Sequence, residues 1–479
     1  MTFDALNLLK GYDEIMEYNS EYEGTGRLIL GIVLGVITFW LFALSLVNIV
    51  PTLHNELGAN FGLINVAVSL TSLFSGMFVV GAGGIADKYG PVKMTYVGLA
   101  LSVIGSLVIV LSPHIWPVII GRGIQGLSAA FVMPATLSII KAYYHRRHRQ
   151  AALSYWSIGS WGGGGIASFF GGITDTFLGW RWIFIISIIV AILSMMLIKG
   201  TPEVPRRKEV SSQKFDFVGL ILFLVFILSL NLIITQSSDY GFGSPFILSL
   251  IAVFVISIIT FTILEKRRKS PLVDFEIFKD KGYTGATLSN FLMNAVAGTL
   301  IVGNTFVQEE KGFTSAQAGY LSITYLVMVL ITIRVGEKIL QRLGAQKPMY
   351  IGSLLNMIGI ILISLTFLPT TAYVIACVVG YFIYGLGLGL YATPSMDTAI
   401  ANASEEHIGM ASGIYKMSSS LGNAFGIAIS TTIFAIGTSA FNLQTGAMFG
   451  LWFNVIIAFI SFLLVACLVP KSQGIQIKK

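Results

Sequence analysis

Charge is what this chain has least of. Only 11% of its 479 residues are Asp, Glu, Lys or Arg, where a water-soluble domain carries about 25%. With 55% hydrophobic residues and a mean hydropathy of +0.81, a soluble globular fold is excluded. Cysteine is nearly absent: Cys377 and Cys467 both fall in apolar runs, which argues against a disulfide framework or a Cys-based metal site. Histidine is scarce as well. His54, His114, His145, His148 and His407 all fall in loops or at interfaces, so no catalytic or metal centre converges at one depth, and an enzyme is not expected. There is no Gly-Lys dipeptide, which a Walker A loop requires before its Ser or Thr, so ATP is not the expected energy source. Residues 1–27 are polar and acidic and lack an apolar h-region, so no removable signal peptide is expected.

What the chain has instead is long apolar runs. A membrane-spanning helix needs about 20 apolar residues. Fourteen such runs can be traced, the first centred near residue 39 and the last near residue 457. An even count places both termini on one side. All but four of the 30 Lys and Arg residues then fall in cytoplasmic segments or the helix ends beside them, including Lys88, Lys93, Lys141 and Arg146. Arg181 and Lys311 fall outside, and Arg122 and Lys416 lie within the membrane. The expectation is a multi-pass protein of the cell membrane with cytoplasmic termini. Its formal charge of +7 is an orientation signal rather than a nucleic-acid footprint.

The halves of the chain resemble each other. GGIADKYGPVK (83–93) joins the second and third runs, and EKILQRLGAQK (337–347) joins the tenth and eleventh, at an offset of 254. Pro134 and Pro394 lie late in the fourth and twelfth runs, at an offset of 260. A third match is a ridge of small residues. Gly159, Gly163, Ala167 and Gly171 recur at every fourth position, and Ser418, Gly422, Gly426 and Ser430 repeat the pattern at an offset of 259. Such ridges permit close helix contact in lipid. The expected fold is an all-α integral membrane protein with two pseudo-symmetric six-helix bundles, 28–200 and 283–470. Residues 201–282 supply basic linkers and two inserted helices, the seventh and eighth. Residues 1–27 and 471–479 are cytoplasmic tails.

Parallel repeats around a midplane site are the build of the major facilitator transporters. GGIADKYGPVK resembles that superfamily's signature between its second and third helices, with Gly83, Ile85, Ala86, Asp87, Lys88 and Gly90 in place, Pro91 replacing the usual Arg, and Lys93 keeping a basic residue nearby. Arg122-Gly-Ile-Gln125-Gly126 resembles the fourth-helix signature of drug:proton antiporters. Fourteen spans match that group's fourteen-helix branch. Strings such as VITFWLFALSLVN, SGMFVVGAGGIADK, GWRWIF and YATPS resemble its staphylococcal quinolone-efflux members. The resemblance implies a monomeric, proton-coupled exporter of fluoroquinolones and other small-molecule drugs, driven by the proton gradient without a cofactor, in the lipid bilayer. Export of an endogenous metabolite or siderophore is the alternative on the same fold.

Ionisable groups inside a membrane are functional candidates by default. Arg122 either modulates a proton site and holds substrate anions, or bonds backbone carbonyls and pins helix packing. Lys416 either attracts a drug carboxylate or snorkels to the interface. The first run, FWLFALSLVNIVP, lacks the Asp that several fourteen-span pumps carry there. The remaining carboxylates fall at run ends, Asp87 and Asp397 inside and Glu56, Asp175, Glu309 and Glu310 outside, with Asp397, Glu309 and Glu310 the candidates for proton coupling. The Glu pair is either a proton acceptor or a solvated pair offset by Lys311. Asp87 is expected to latch one conformation with Gly83, Gly90 and Lys93, or else to sit beside a plain Gly90–Pro91 turn. The small-residue ridges are expected to form the bearing between bundles. Trp40, Gln125, Trp161, Asn290, Asn294, Tyr325, Tyr384 and Asn423 are expected to line the substrate pocket, though each fits packing or an interfacial aromatic belt as well.

Overall fold

A computed structural model of the chain describes residues 22–144, 163–204, 216–268, 275–402 and 408–471, with single positions 148, 152, 155, 156 and 159 between the first two segments. Lipid offers the backbone no hydrogen-bond partner, so a spanning chain must satisfy itself as helix. The described residues accordingly form helices and short turns. The first part comprises α1 (Gly26–Ile37), α2 (Val50–Leu57), α3 (Phe61–Tyr89), α4 (Pro91–Val110), α5 (Ile115–Tyr143), α6 (Gly163–Leu178) and α7 (Arg181–Ile198). A hairpin of α8 (Phe217–Tyr240) and α9 (Pro245–Arg267) follows. The last part holds α10 (Lys281–Ala295), α11 (Gly298–Glu309), α12 (Ser315–Leu321), α13 (Ile323–Leu343), α14 (Gln346–Ile363), α15 (Thr370–Ala401), α16 (Ile408–Ala440) and α17 (Leu443–Leu468).

Among the described residues, 12 helical segments are long and apolar enough to cross a membrane. Two of the fourteen expected runs fall outside that set for different reasons. The first is not one regular helix. It passes from α1 into a π-helical turn, Thr38–Phe42, and a 3-10 segment, Ala43–Asn48. Hydroxyls compete for its carbonyls there, Thr38 Oγ1 donating to Gly35 O at 2.6 Å and Ser45 Oγ to Leu41 O at 2.5 Å. The fifth run is described only as the 16 residues of α6. The ninth run mirrors the first: it breaks between α10 and α11 at Val296–Ala297.

The repeat in sequence is a repeat in backbone. Gly90 (φ 108°) and Gly344 (φ 80°) both take left-handed turns that only glycine adopts cheaply. Each closes its helix with an i→i−4 bond, to Ala86 O at 2.8 Å and Leu340 O at 3.0 Å. The first and last described residues lie at the same end of the bundle. Gly24 N donates to Tyr143 O at 2.7 Å, and Tyr143 OH reaches Pro202 O. Glu203 caps α4 through Val92 N and Lys93 N, each at 2.9 Å. In the last part Gln346 Nε2 holds Val469 O at 2.9 Å and Tyr283 OH holds Ala411 O at 3.0 Å. Antiparallel α3 and α16 join the two groups, Ser72 meeting Asn423 and Gly76 meeting Ser420. We call this end proximal and the opposite end distal.

The small-residue ridges are not where they were expected. They pack inside each half rather than between halves. A Cβ on Gly159 would press on Val33 of α1, and one on Gly171 would strike the Ser45 carbonyl. In the other half, Gly422 and Gly426 lie against the carbonyls of Phe291 and Ala295 in α10. Each ridge thus receives the first helical run of its own half, backbone against backbone. Gly172, one position round from the first ridge, faces the other half at the Ser315 carbonyl. The α8–α9 hairpin packs on the α3–α16 seam through Phe223, Phe226 and Phe261, whose ring centroids lie 5.2–5.8 Å apart.

Candidate functional site

Between the two halves the polar side chains gather at two depths. The middle layer is built on α10 and α16. Asn290 Nδ2 donates to Ser419 Oγ at 2.7 Å and Ser418 Oγ at 3.1 Å, and Asn294 Nδ2 donates back to Asn290 Oδ1 at 3.0 Å. Asn423, one turn further along α16, accepts from Ser72 Oγ of α3 at 3.4 Å. Tyr325 and Tyr384 form a tilted pair 5.3 Å apart beside Val296, where the ninth run breaks. Lys416 is half-buried, its ammonium 6.0 Å from the Trp156 ring. The amides and hydroxyls lie along α10 and α16 by the seam with α3, and the tyrosine pair is buried beside the α10–α11 break.

Arg122 is set apart from that layer. It is buried in α5, its Nε donating to Ala67 O at 2.8 Å and Nη2 to Val68 O at 3.3 Å. Nη1 reaches Gln125 Oε1 at 3.0 Å, and Gln125 Nε2 passes the chain on to Ser106 Oγ of α4 at 3.1 Å. Thr71 Oγ1 returns a bond to the Arg122 carbonyl. This planar fork ties α3, α4 and α5 together, the work a guanidinium does better than an ammonium.

The distal layer closes one end of the interface. Asn48 and Asn304 bond through their side-chain amides, and Gln308 Nε2 donates to Asn48 O at 3.1 Å. Asp175 lies two residues beyond Ile173, where the apolar tract of its run ends. Its Oδ2 accepts from Thr52 Oγ1 at 2.7 Å in its own half and from Ser315 Oγ at 2.6 Å in the other. Ala316 N donates to Thr176 Oγ1 at 3.1 Å. A cleft of about 430 Å³ opens over these groups, lined by Thr52, Asn55, Asp175, Gln308, Glu309 and Ser315 among others. Burial pushes the Asp175 carboxyl above its ordinary range. The Ser315 and Thr52 hydroxyls pull it down, and Glu56 adds a further upward push.

The remaining expected residues are dispersed. Glu309 and Glu310 are exposed at the distal end of α11, and Asp397 is exposed near the proximal end of α15. Trp40 is half-buried, edge-on to Phe39 at 5.1 Å. Gly83 faces Pro134, Gly90 is buried, and Lys93 is exposed. Gly163 opens α6 and Ala167 is buried within it. Trp161 and the Asp87 side chain lie outside the described residues. Of the distal layer, the sequence reading named Asp175 and Glu309 but missed Asn48, Thr52, Asn304, Gln308 and Ser315, because uncharged polar residues near run ends look like loop. A signal was available: Asn48 and Asn304 stand 256 apart, close to the repeat offset.

The Major Facilitator Superfamily profile matches residues 29–427 and 286–475, and the chain belongs to that family of transporters; it is not an enzyme. Solved structures share the fold. A D-xylose-proton symporter superposes with a TM-score of 0.65 at 15% identity, over 94% of this chain and 98% of that one. An auto-inhibited POT family peptide transporter gives 0.64 at 16%, over 92% and 95%. In sequence the chain is similar to the quinolone resistance protein NorB of Staphylococcus aureus (strain MRSA252). The two are 58% identical over 456 residues, 95% of this chain and 98% of NorB. The NorB of strain COL matches equally, at 58% over the same share.

Proposed function

We propose that this chain is a proton-coupled exporter of fluoroquinolones and other small drugs, working by alternating access between its two halves. The observation that carries the reading is the 58% identity to a quinolone resistance protein over 95% of the chain. The middle layer suits a zwitterionic aromatic cargo: the Tyr325–Tyr384 pair offers stacking faces, Asn290, Asn294 and Asn423 offer amides, and Lys416 offers a cation to a carboxylate. In this reading α1 with its irregular extension and α6 are spans one and five, completing fourteen. The bundles run over 28–200 and 283–470, the 201–282 insertion rides on the α3–α16 seam, the proximal end is cytoplasmic, and one chain suffices.

Cells expressing the chain should hold several-fold less fluoroquinolone than a deletion strain, with the difference erased by a protonophore. Equal drug accumulation, accompanied by loss of a secreted metabolite in the deletion strain, would redirect the assignment to that metabolite.

A further inference from the structure

We propose that Asp175 is a proton-binding residue of the distal gate, and that taking a proton from the medium on that side favours the closed interface. The proposal rests on the exporter reading and adds a site that reading does not contain. Its footing is geometric. Asp175 is a half-buried carboxylate whose Oδ2 receives hydroxyls from both halves, Thr52 from one and Ser315 from the other. Water reaches it through the cleft above. No other acid in the distal layer bonds across the two halves among the described residues.

The charged and titratable neighbours are these. On α2, Glu56 accepts from Trp180 Nε1 at 2.9 Å and Arg181 Nη1 at 3.3 Å, and His54 stacks on Phe61 with Nδ1 at Ala59 O. On α11, Glu309 lines the cleft, Glu310 caps the helix, and Lys311 turns toward Leu368 O and the Phe306 ring. On α12, Tyr320 faces Phe169. The cation nearest in sequence, Arg181, is thus engaged by Glu56 and the Ser112 carbonyl.

The sign follows from closure itself. Parting the halves removes Ser315 and returns the carboxylate to water, where it titrates in the ordinary range. Closing them strips much of the water from it, and that burial outweighs the hydroxyl bonds. The closed form therefore holds the proton more tightly, and by linkage acidification populates it. The gain is full below the open-form pKa and is lost as pH rises through the closed-form pKa. An antiporter needs this order: protons shut the distal end, and cargo arriving from the proximal side reopens it.

The test reads conformation. Spin labels at Asn55 and Thr314, flanking the cleft in a Cys467→Ser background, report the closed-to-open ratio in liposomes between about pH 8 and about pH 5. The wild-type ratio should rise on acidification. Asp175→Asn should stay mostly closed and lose the pH response; a wild-type response in that variant overturns the proposal. Ser315→Ala keeps the carboxylate but removes a bond that favours its charged form, so the ratio should change by a larger factor than in wild type. An equal or smaller factor also overturns it. Quinolone export is read separately in the same liposomes. A pH-responsive gate without export keeps Asp175 and removes the cargo; export through a gate indifferent to pH does the reverse.

Discussion

Arg122 and Lys416 are cations within apolar helices long enough to cross a membrane, and the structure gives them different surroundings. Arg122 uses its guanidinium to hold the carbonyls of Ala67 and Val68 and the Gln125 amide. A lysine keeps the charge but cannot span three acceptors. Arg122→Lys should lower stability by about 2 kcal/mol, the scale of one or two charge-assisted bonds, read as a fall in the unfolding temperature of detergent-purified protein. An unchanged temperature contradicts this role. Lys416 has an aromatic neighbour and a position beside the middle layer. Lys416→Met should weaken quinolone binding about tenfold, roughly 1.4 kcal/mol, and leave a cationic dye unaffected. Equal losses for both ligands would mean that the lysine supports structure rather than a carboxylate. That both cations were worth attention was legible in the sequence, because an ionisable residue in an apolar run stands out. Their partners were not, since carbonyls and hydroxyls leave no mark in composition.

At the scale of elements, the sequence made the repeat visible and hid its irregularities. Positive-φ Gly90 and Gly344 and the in-helix Pro134 and Pro394 all fall at the offsets the text of the chain suggested. The breaks at Thr38–Asn48 and Val296–Ala297 were illegible, because an apolar run reads the same whether it is α, π or 3-10. The glycine ridges were legible as close-contact surfaces but not their partners, which depend on which helix a half folds against them. Two substitutions separate the possibilities. Gly426→Leu drives a side chain into the Ala295 carbonyl within one half and should destabilise the fold by about 3 kcal/mol or more. Gly172→Leu meets the Ser315 carbonyl across the halves, so parting them relieves the clash. That variant should stay folded, and a cysteine introduced at Ala316, buried in the closed interface, should become more accessible to a membrane-impermeant reagent. Wild-type accessibility would count against Gly172 as a contact of the closed gate.

On the scale of the whole molecule, the described helices form two groups that meet along α3 and α16 at the seam and through the Asn48–Asn304 and Asp175–Ser315 contacts at the distal end. The first and last described residues lie at the other end. Polar contacts across the distal interface are few and local, and the glycine ridges pack within each half, with Gly76 and Gly172 as close approaches across the halves. Two firm bodies with a separable distal interface are what alternating access requires. Protons would act on the distal carboxylate and drug on the middle layer, from opposite sides. The measurement that meets this account head-on is transport by purified protein in liposomes carrying a pH-sensitive dye. Under an imposed pH gradient, a fluoroquinolone should move against its own gradient while protons move the other way. Adding drug alone should start proton flux, and collapsing the gradient should stop both. Drug movement that persists without a pH gradient, or that carries no proton flux, would contradict the account.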